Sequence, residues 1–216
     1  MNQEMASTIF YGNSKTDAKK FMGLAARYDH LSTDKTDIGY NVINAGGVGS
    51  DNTSIWFGTW GANTMHGIYP KGHKAGLQYK DFGEQDALDE NSAPYRALVS
   101  LYKWHLGLTL RDWRSCVRIA NIDVSELADA GESGFDGANL PNLMIRAYNR
   151  QKMRKMGKAV IYCNETIKTA LDLLASNKAN TYFTIENGVD GNPITKFRGI
   201  PIREVESILN TEEAVA

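Results

Sequence analysis

A chain of 216 residues with 42% hydrophobic and 23% charged residues has the composition of an ordinary globular protein, and it buries roughly 70% of its unfolded surface without disulfide staples. Its formal net charge of −1 excludes a polycation dedicated to nucleic acid or to an anionic membrane surface. No apolar run approaches the roughly 20 residues that span a bilayer, and the polar first residues do not read as a signal peptide.

Residues 1–28 read as an N-terminal segment and a helix. Ser14 caps that helix, Asp17 lies in its first turn, and Phe21, Leu24, Ala25 and Tyr28 form its apolar stripe over 14–28. Residues 29–94 are a glycine-rich β/loop region. Thr53 to Trp60 and Asn63 to Tyr69 are its clearest strands, rich in aromatic and β-branched residues. Its last part, 84–94, reads as an acidic, turn-prone connector ending in Pro94.

From Tyr95 to Ala120 the chain holds no proline and a single glycine, Gly107. Tyr95, Ala97, Val99 and Leu101 alternate with Arg96, Leu98, Ser100 and Tyr102. The spacing predicts, over 95–122, two long antiparallel strands turning near Gly107, or one bent strand pair. They exceed the usual strand of about five or six residues.

Residues 123–216 read as helices plus an α/β unit. Asp123 to Asp136 is an acidic link, and Leu140-Pro141 opens a helix running to about Met153. Ala159-Val160-Ile161-Tyr162 is a strand covered on both faces, and Asn164 caps a helix with Ile167, Ala170, Leu171 and Leu174 on one stripe, ending near Asn177 and Lys178. Thr181 to Glu186 and Ile194 to Phe197 are strands joined through turn signals at Asn187-Gly188 and Asp190-Gly191-Asn192-Pro193. Pro201 belongs at a sheet edge or strand start.

The order strand, helix, strand, turn, strand closing on Phe197-Arg198-Gly199-Ile200-Pro201-Ile202 resembles the C-terminal half of tailed-phage major capsid proteins. The runs Ser7-Thr8-Ile9-Phe10-Tyr11-Gly12-Asn13 and Phe21-Met22-Gly23-Leu24-Ala25-Ala26-Arg27-Tyr28 resemble capsid proteins of epsilon15-like short-tailed phages. The resemblance implies an α+β chain of the Hong Kong 97 capsid fold, with residues 95–122 peripheral-type and 123–216 axial-type. It implies hexamers and pentamers of the chain, assembled in the bacterial host cytoplasm into an icosahedral shell around double-stranded DNA. Scaffold, portal and decoration proteins are the implied partners. The family's N-terminal arm, extended loop and spine helix are not evident before Phe10, so the expectation is either a fragment of such a protein or a resemblance to its core domains only. The alternative reading is a small α/β enzyme or binding domain.

Chemistry-bearing motifs are poorly formed. Gly46-Gly47-Val48-Gly49-Ser50 lacks the Lys-Ser/Thr of a phosphate-cradling loop, and Lys71, His73 and Lys74 lack a following helix. His30, His66, His73 and His105 show no metal-ligand spacing, and Cys116 and Cys163 no metal or redox spacing. No catalytic, cofactor or metal residue is therefore assigned. Cys163 at a strand-to-helix turn has no histidine partner and reads as a buried structural thiol.

Charge is sorted along the chain. No acidic residue lies between Asp136 and Glu165, while Arg146, Arg150, Lys152, Arg154, Lys155 and Lys158 do. Asp81, Glu84, Asp86, Asp89 and Glu90 form one acidic block, and Asp123, Glu126, Asp129, Glu132 and Asp136 another. The bland account is a set of solvated faces. The sharper expectation is that opposite blocks meet across subunit boundaries, with Arg146, Arg150, Lys152, Arg154 and Lys155 as contacts and Trp56 and Trp60 as an apolar edge. A third possibility is DNA contact by the basic block, with Tyr148 or Tyr162 stacking on bases.

Overall fold

The structure is a computed structural model that describes residues 2–129, 140–176, 183–187 and 193–216. In chain order its elements are α1 (Asn2–Tyr11), β1 (Val42–Asn44), β2 (Asn52–Trp60), β3 (Met65–Ile68), β4 (Leu77–Leu88), β5 (Pro94–Trp104), β6 (Gly107–Leu110) and β7 (Cys116–Asp123). There follow α2 (Val124–Asp129), α3 (Leu140–Arg150), β8 (Lys158–Cys163), α4 (Glu165–Ser176), β9 (Phe183–Asn187), β10 (Pro193–Phe197) and β11 (Ile200–Glu204). The chain divides into two units, Met1–His66 with Leu110–Ala216, and Gly67–Thr109.

The first unit is built on a mixed sheet ordered β1-β7-β2-β8-β11-β10-β9. β2 lies antiparallel to both β7 and β8, whereas β1 with β7 and β11 with β8 are parallel pairs. All of β2 is buried except its last residue, so alternate side chains serve two different layers. Ile55 and Phe57 join Val117, Ile119, Ile161 and Cys163 in a core with Leu143, Met144 and Ala147 of α3 and Ile167 and Leu171 of α4. On the opposite face, Trp56 packs against Phe10 and Tyr28, with ring centroids 6.0 and 6.1 Å apart.

Much of the C-terminal half follows the expected local rules. Asn164 accepts a hydrogen bond from the Ile167 amide at 2.9 Å, the N-cap of α4. Leu143, Met144 and Ala147 form the buried stripe of α3. Pro201 sits near the start of β11, opposite Lys196 of β10. The pairing of β11 with β8 begins only at Ile202, so the missing proline N–H removes no bond on that side. Gly188, Asp190 to Asn192, Asn177, Lys178, Thr181, Tyr182 and residues 130–136 of the acidic link lie outside the described residues.

Three expectations are corrected. The N-terminal helix is α1, whereas 14–28 is a series of turns. The amides of Gly23, Leu24 and Ala25 donate to the carbonyls of Gly12, Ile9 and Phe10. They satisfy the end of α1 in place of bonds within a helix of their own. Leu24 and Tyr28 are still buried. The presumed connector 84–94 is largely strand, with β4 running to Leu88 and only Asp89 to Ala93 left for the turn. Finally, Gly107 is not the turn of a hairpin over 95–120. β5 pairs backwards with β4, while β7 enters the main sheet, so 95–122 is divided between the two units.

The second unit is dominated by the β4–β5 hairpin, paired from Leu77↔Trp104 to Leu88↔Pro94. Asp89 shapes its turn, accepting from the amides of Asn91 and Ala93 at 2.8 and 2.9 Å. The strands are 12 and 11 residues long. Long antiparallel strands were expected; their partners were misassigned.

Candidate assembly surfaces

The hairpin exposes side chains that a strand normally hides. Leu88 is 68% and Leu98 81% exposed, and Tyr79, Tyr95, Leu101 and Tyr102 are each about half exposed. Tyr79 and Tyr102 stand opposite each other with ring centroids 5.0 Å apart. No residue of β4 or β5 is fully buried. A lone two-stranded ribbon is marginal in water, and exposed apolar surface of this kind makes it a candidate for association.

A bulge between Asp81 and Gly83 shifts the register. One face of the ribbon consequently carries Asp81, Glu84 and Asp86 of β4 beside Tyr102, Leu98 and Arg96 of β5, while the other carries Lys80 and Lys103. Arg96 lies 3.3 Å from both Glu84 and Asp86. These pairs are highly exposed, so each is worth at most about 1 kcal/mol.

In the first unit, the basic block runs from α3 to the start of β8, and its members have different duties. Arg150 donates to the carbonyls of Tyr40 and Val42 and lies 4.4 Å over the Tyr40 ring. Burial holds its guanidinium below the ordinary arginine value. Arg154 donates to the carbonyls of Tyr148 and Gln151 and lies 4.0 Å over the Tyr148 ring. These two arginines bind their own fold. Arg146, Lys152, Lys155 and Lys158 are exposed.

The expected aromatic edge divides in the same way. Trp56 is fully buried and lies beneath the Arg118 guanidinium, 5.0 Å from its ring. It is a core residue of this chain, because the alternation of β2 turns it onto the N-terminal segment. Trp60 is partly exposed and donates to the Tyr162 hydroxyl at 2.8 Å.

Sequence reasoning overlooked Tyr79, Leu88, Leu98 and Tyr102 as surface residues. The alternation of 95–104 was visible, but the bulge breaks the matching pattern in β4 and hid the partner strand. Both thiols are pushed up to about 12 by burial, which leaves Cys163 protonated and unreactive at neutral pH.

The model of the family described as Major capsid protein GP7 matches residues 1–216. The chain belongs to that family. No curated protein matches it. Family membership supports a capsid role for a chain whose described residues form a mixed α+β structure. The exposed ribbon and basic segment of this capsid-family chain are then candidate contacts between subunits. Among the described residues, no helix is long and apolar enough to cross a membrane.

Proposed function

We propose that this chain is the shell-forming subunit of a phage virion. It works by self-assembly, with the α/β body packed by its own core and the β4–β5 hairpin laid against a neighbouring copy. The observation that carries this reading is the ribbon itself: Leu88 and Leu98 are more than two-thirds exposed, on two strands in which no residue is fully buried. Burying such side chains is worth about 1.5–3 kcal/mol each, a gain repeated at every contact of a closed shell.

In this reading the chain has the Hong Kong 97-type architecture, with residues 123–216 as its axial-type part and the long ribbon strands as its peripheral-type part. The shell is icosahedral, built of hexamers and pentamers, and encloses double-stranded DNA without reading its sequence. Scaffold and portal proteins guide assembly, decoration proteins bind the finished shell, and the subunit performs no catalysis.

Negative-stain microscopy of concentrated protein tests the reading. Rings, sheets or shells are expected from the wild-type chain and are lost when Leu88 and Leu98 are changed to Ser. A strictly monomeric wild-type chain under all assembly conditions would contradict it.

A further inference from the structure

We propose that the acidic face of the β4–β5 hairpin docks on the basic segment 146–158 of a second copy of this chain. The proposal rests on the capsid-subunit reading and names the surface each copy offers. Strict alternation along β4 would put Asp81 on one face and Glu84 and Asp86 on the other. The bulge at Asp81/Gly83 inserts one residue and brings all three carboxylates to the same face. Arg96 is the basic residue that β5 sets among them, 3.3 Å from Glu84 and Asp86, so the face keeps an acidic excess. Asp89 and Glu90 extend that excess into the turn.

The complementary surface is a second observation. Arg146, Lys152, Lys155 and Lys158 are exposed, and among the described residues none of the four is in an ion pair. Arg150 and Arg154 are already engaged with backbone carbonyls and tyrosine rings. They hold the segment in place while its other cations face outward. An acidic face and a basic segment on one chain make a heterologous contact, which closes into rings or propagates as an array. Complementary charge of this kind sets register and orientation and disfavours wrong pairings. Because Lys80 and Lys103 occupy the ribbon's other face, one side of the hairpin suits the partner and the other repels it.

The test uses the full chain. In one variant, Glu84→Lys and Asp86→Lys, with Arg96 kept, turn the ribbon's face from net acidic to net basic. In a second, Arg146→Glu, Lys152→Glu and Lys155→Glu turn the outward charge of the basic segment from net basic to net acidic. A third combines all five changes, and circular dichroism checks that each variant folds. Sedimentation velocity should show self-association weakened about tenfold or more in either partial variant and restored in the combined one. Chains carrying only Glu84→Cys or only Lys155→Cys, mixed and oxidised, should give a disulfide-linked dimer, since Cys116 and Cys163 are fully buried.

Assembly that ignores all charge inversions but fails with the Leu88→Ser and Leu98→Ser changes would overturn this docking and leave the capsid reading intact. A chain that neither associates nor cross-links would overturn both. Retention of duplex DNA by the wild type at low salt, lost with Arg146→Glu, Lys152→Glu and Lys155→Glu while ribbon inversion has no effect on assembly, would assign the segment to nucleic acid and overturn the docking.

Discussion

Arg118 and Glu212 form an ion pair 2.9 Å long with both side chains only 5% exposed. The pair does not stand alone. Arg118 donates to the Tyr28 carbonyl at 2.8 Å and to the Ser54 hydroxyl at 3.0 Å. The Glu212 carboxylate accepts from the hydroxyls of Tyr11 and Ser54. One cluster thus ties β7 and β2 to α1, to the turn segment after it and to the C-terminal segment. Charges buried this deeply are tolerated only when their remaining hydrogen-bonding positions are filled.

Glu212→Gln should therefore lower unfolding stability by about 3–5 kcal/mol, because it strands a buried guanidinium. Replacing both partners, Arg118→Met with Glu212→Leu, should cost much less than the sum of the single changes. Urea unfolding curves of the wild type, the Arg118→Met and Glu212→Leu single variants and the double variant decide the point. Additive losses would show that the two groups do not act as a pair.

The buried thiols predict alkaline lability. Burial moves Cys116 and Cys163 from the ordinary 9.0 up to about 12, so the folded state retains protons that the unfolded chain releases. Their contribution is fully present below pH 9.0 and is lost as pH rises to about 12. Tyr11 and Tyr28 are raised by burial too and act in the same direction. Unfolding free energy measured across this window should fall, and less steeply in a Cys116→Ala, Cys163→Ala chain. An equal slope in both proteins would exclude the thiols as its source.

Asn164 does more than cap α4. Its amide also donates to Thr53 on β2 at 2.9 Å and to Asn210. Asn164→Ala should cost about 1–2 kcal/mol. Asn164→Asp keeps the acceptor for the Ile167 amide and loses the donors, so it should fall between wild type and alanine in thermal melts.

Gly157 lies against β2 where no side chain fits. A Cβ there would strike the Trp60 carbonyl oxygen and approach the Gly61 Cα to 3.2 Å. The backbone at Gly157 is extended, with φ of −175°, so the penalty is one of space and not of conformation. Gly157→Ala should destabilise the first unit by about 1–3 kcal/mol. Protection of the Trp60 to Lys158 end of the β2–β8 pair against hydrogen exchange should drop most.

The sequence was most legible where local chemistry and tertiary packing agree. The apolar stripes of α3 and α4, the Asn164 cap and the strands β2, β8 and β10 all carry their signals within a few residues. It was least legible where remote groups decide. Phe21, Leu24, Ala25 and Tyr28 have helical spacing, yet their segment uses its amides on α1. β5 alternates cleanly, but its partner β4 is interrupted by a bulge and carries acids that read as a connector. In the basic block, composition could not separate Arg150 and Arg154, which hold the fold, from Arg146, Lys152 and Lys155, which face outward. Nor could it tell that Trp56 faces the protein interior while Trp60 reaches the surface.

The register of the two units also orders events in time. β4 and β5 join residues that are near neighbours in the chain, whereas β2 must find Val117 to Asp123 and then Lys158 to Tyr162. Local pairings form early and distant ones late, because the distant ones pay loop closure before any contact rewards it. Pulsed hydrogen exchange during refolding should find the ribbon amides protected, at least transiently, before those of β2. The surface proposed to join one copy to another would then be present while the first unit is still unfinished, and premature encounter between chains becomes the main hazard of making this protein at high concentration.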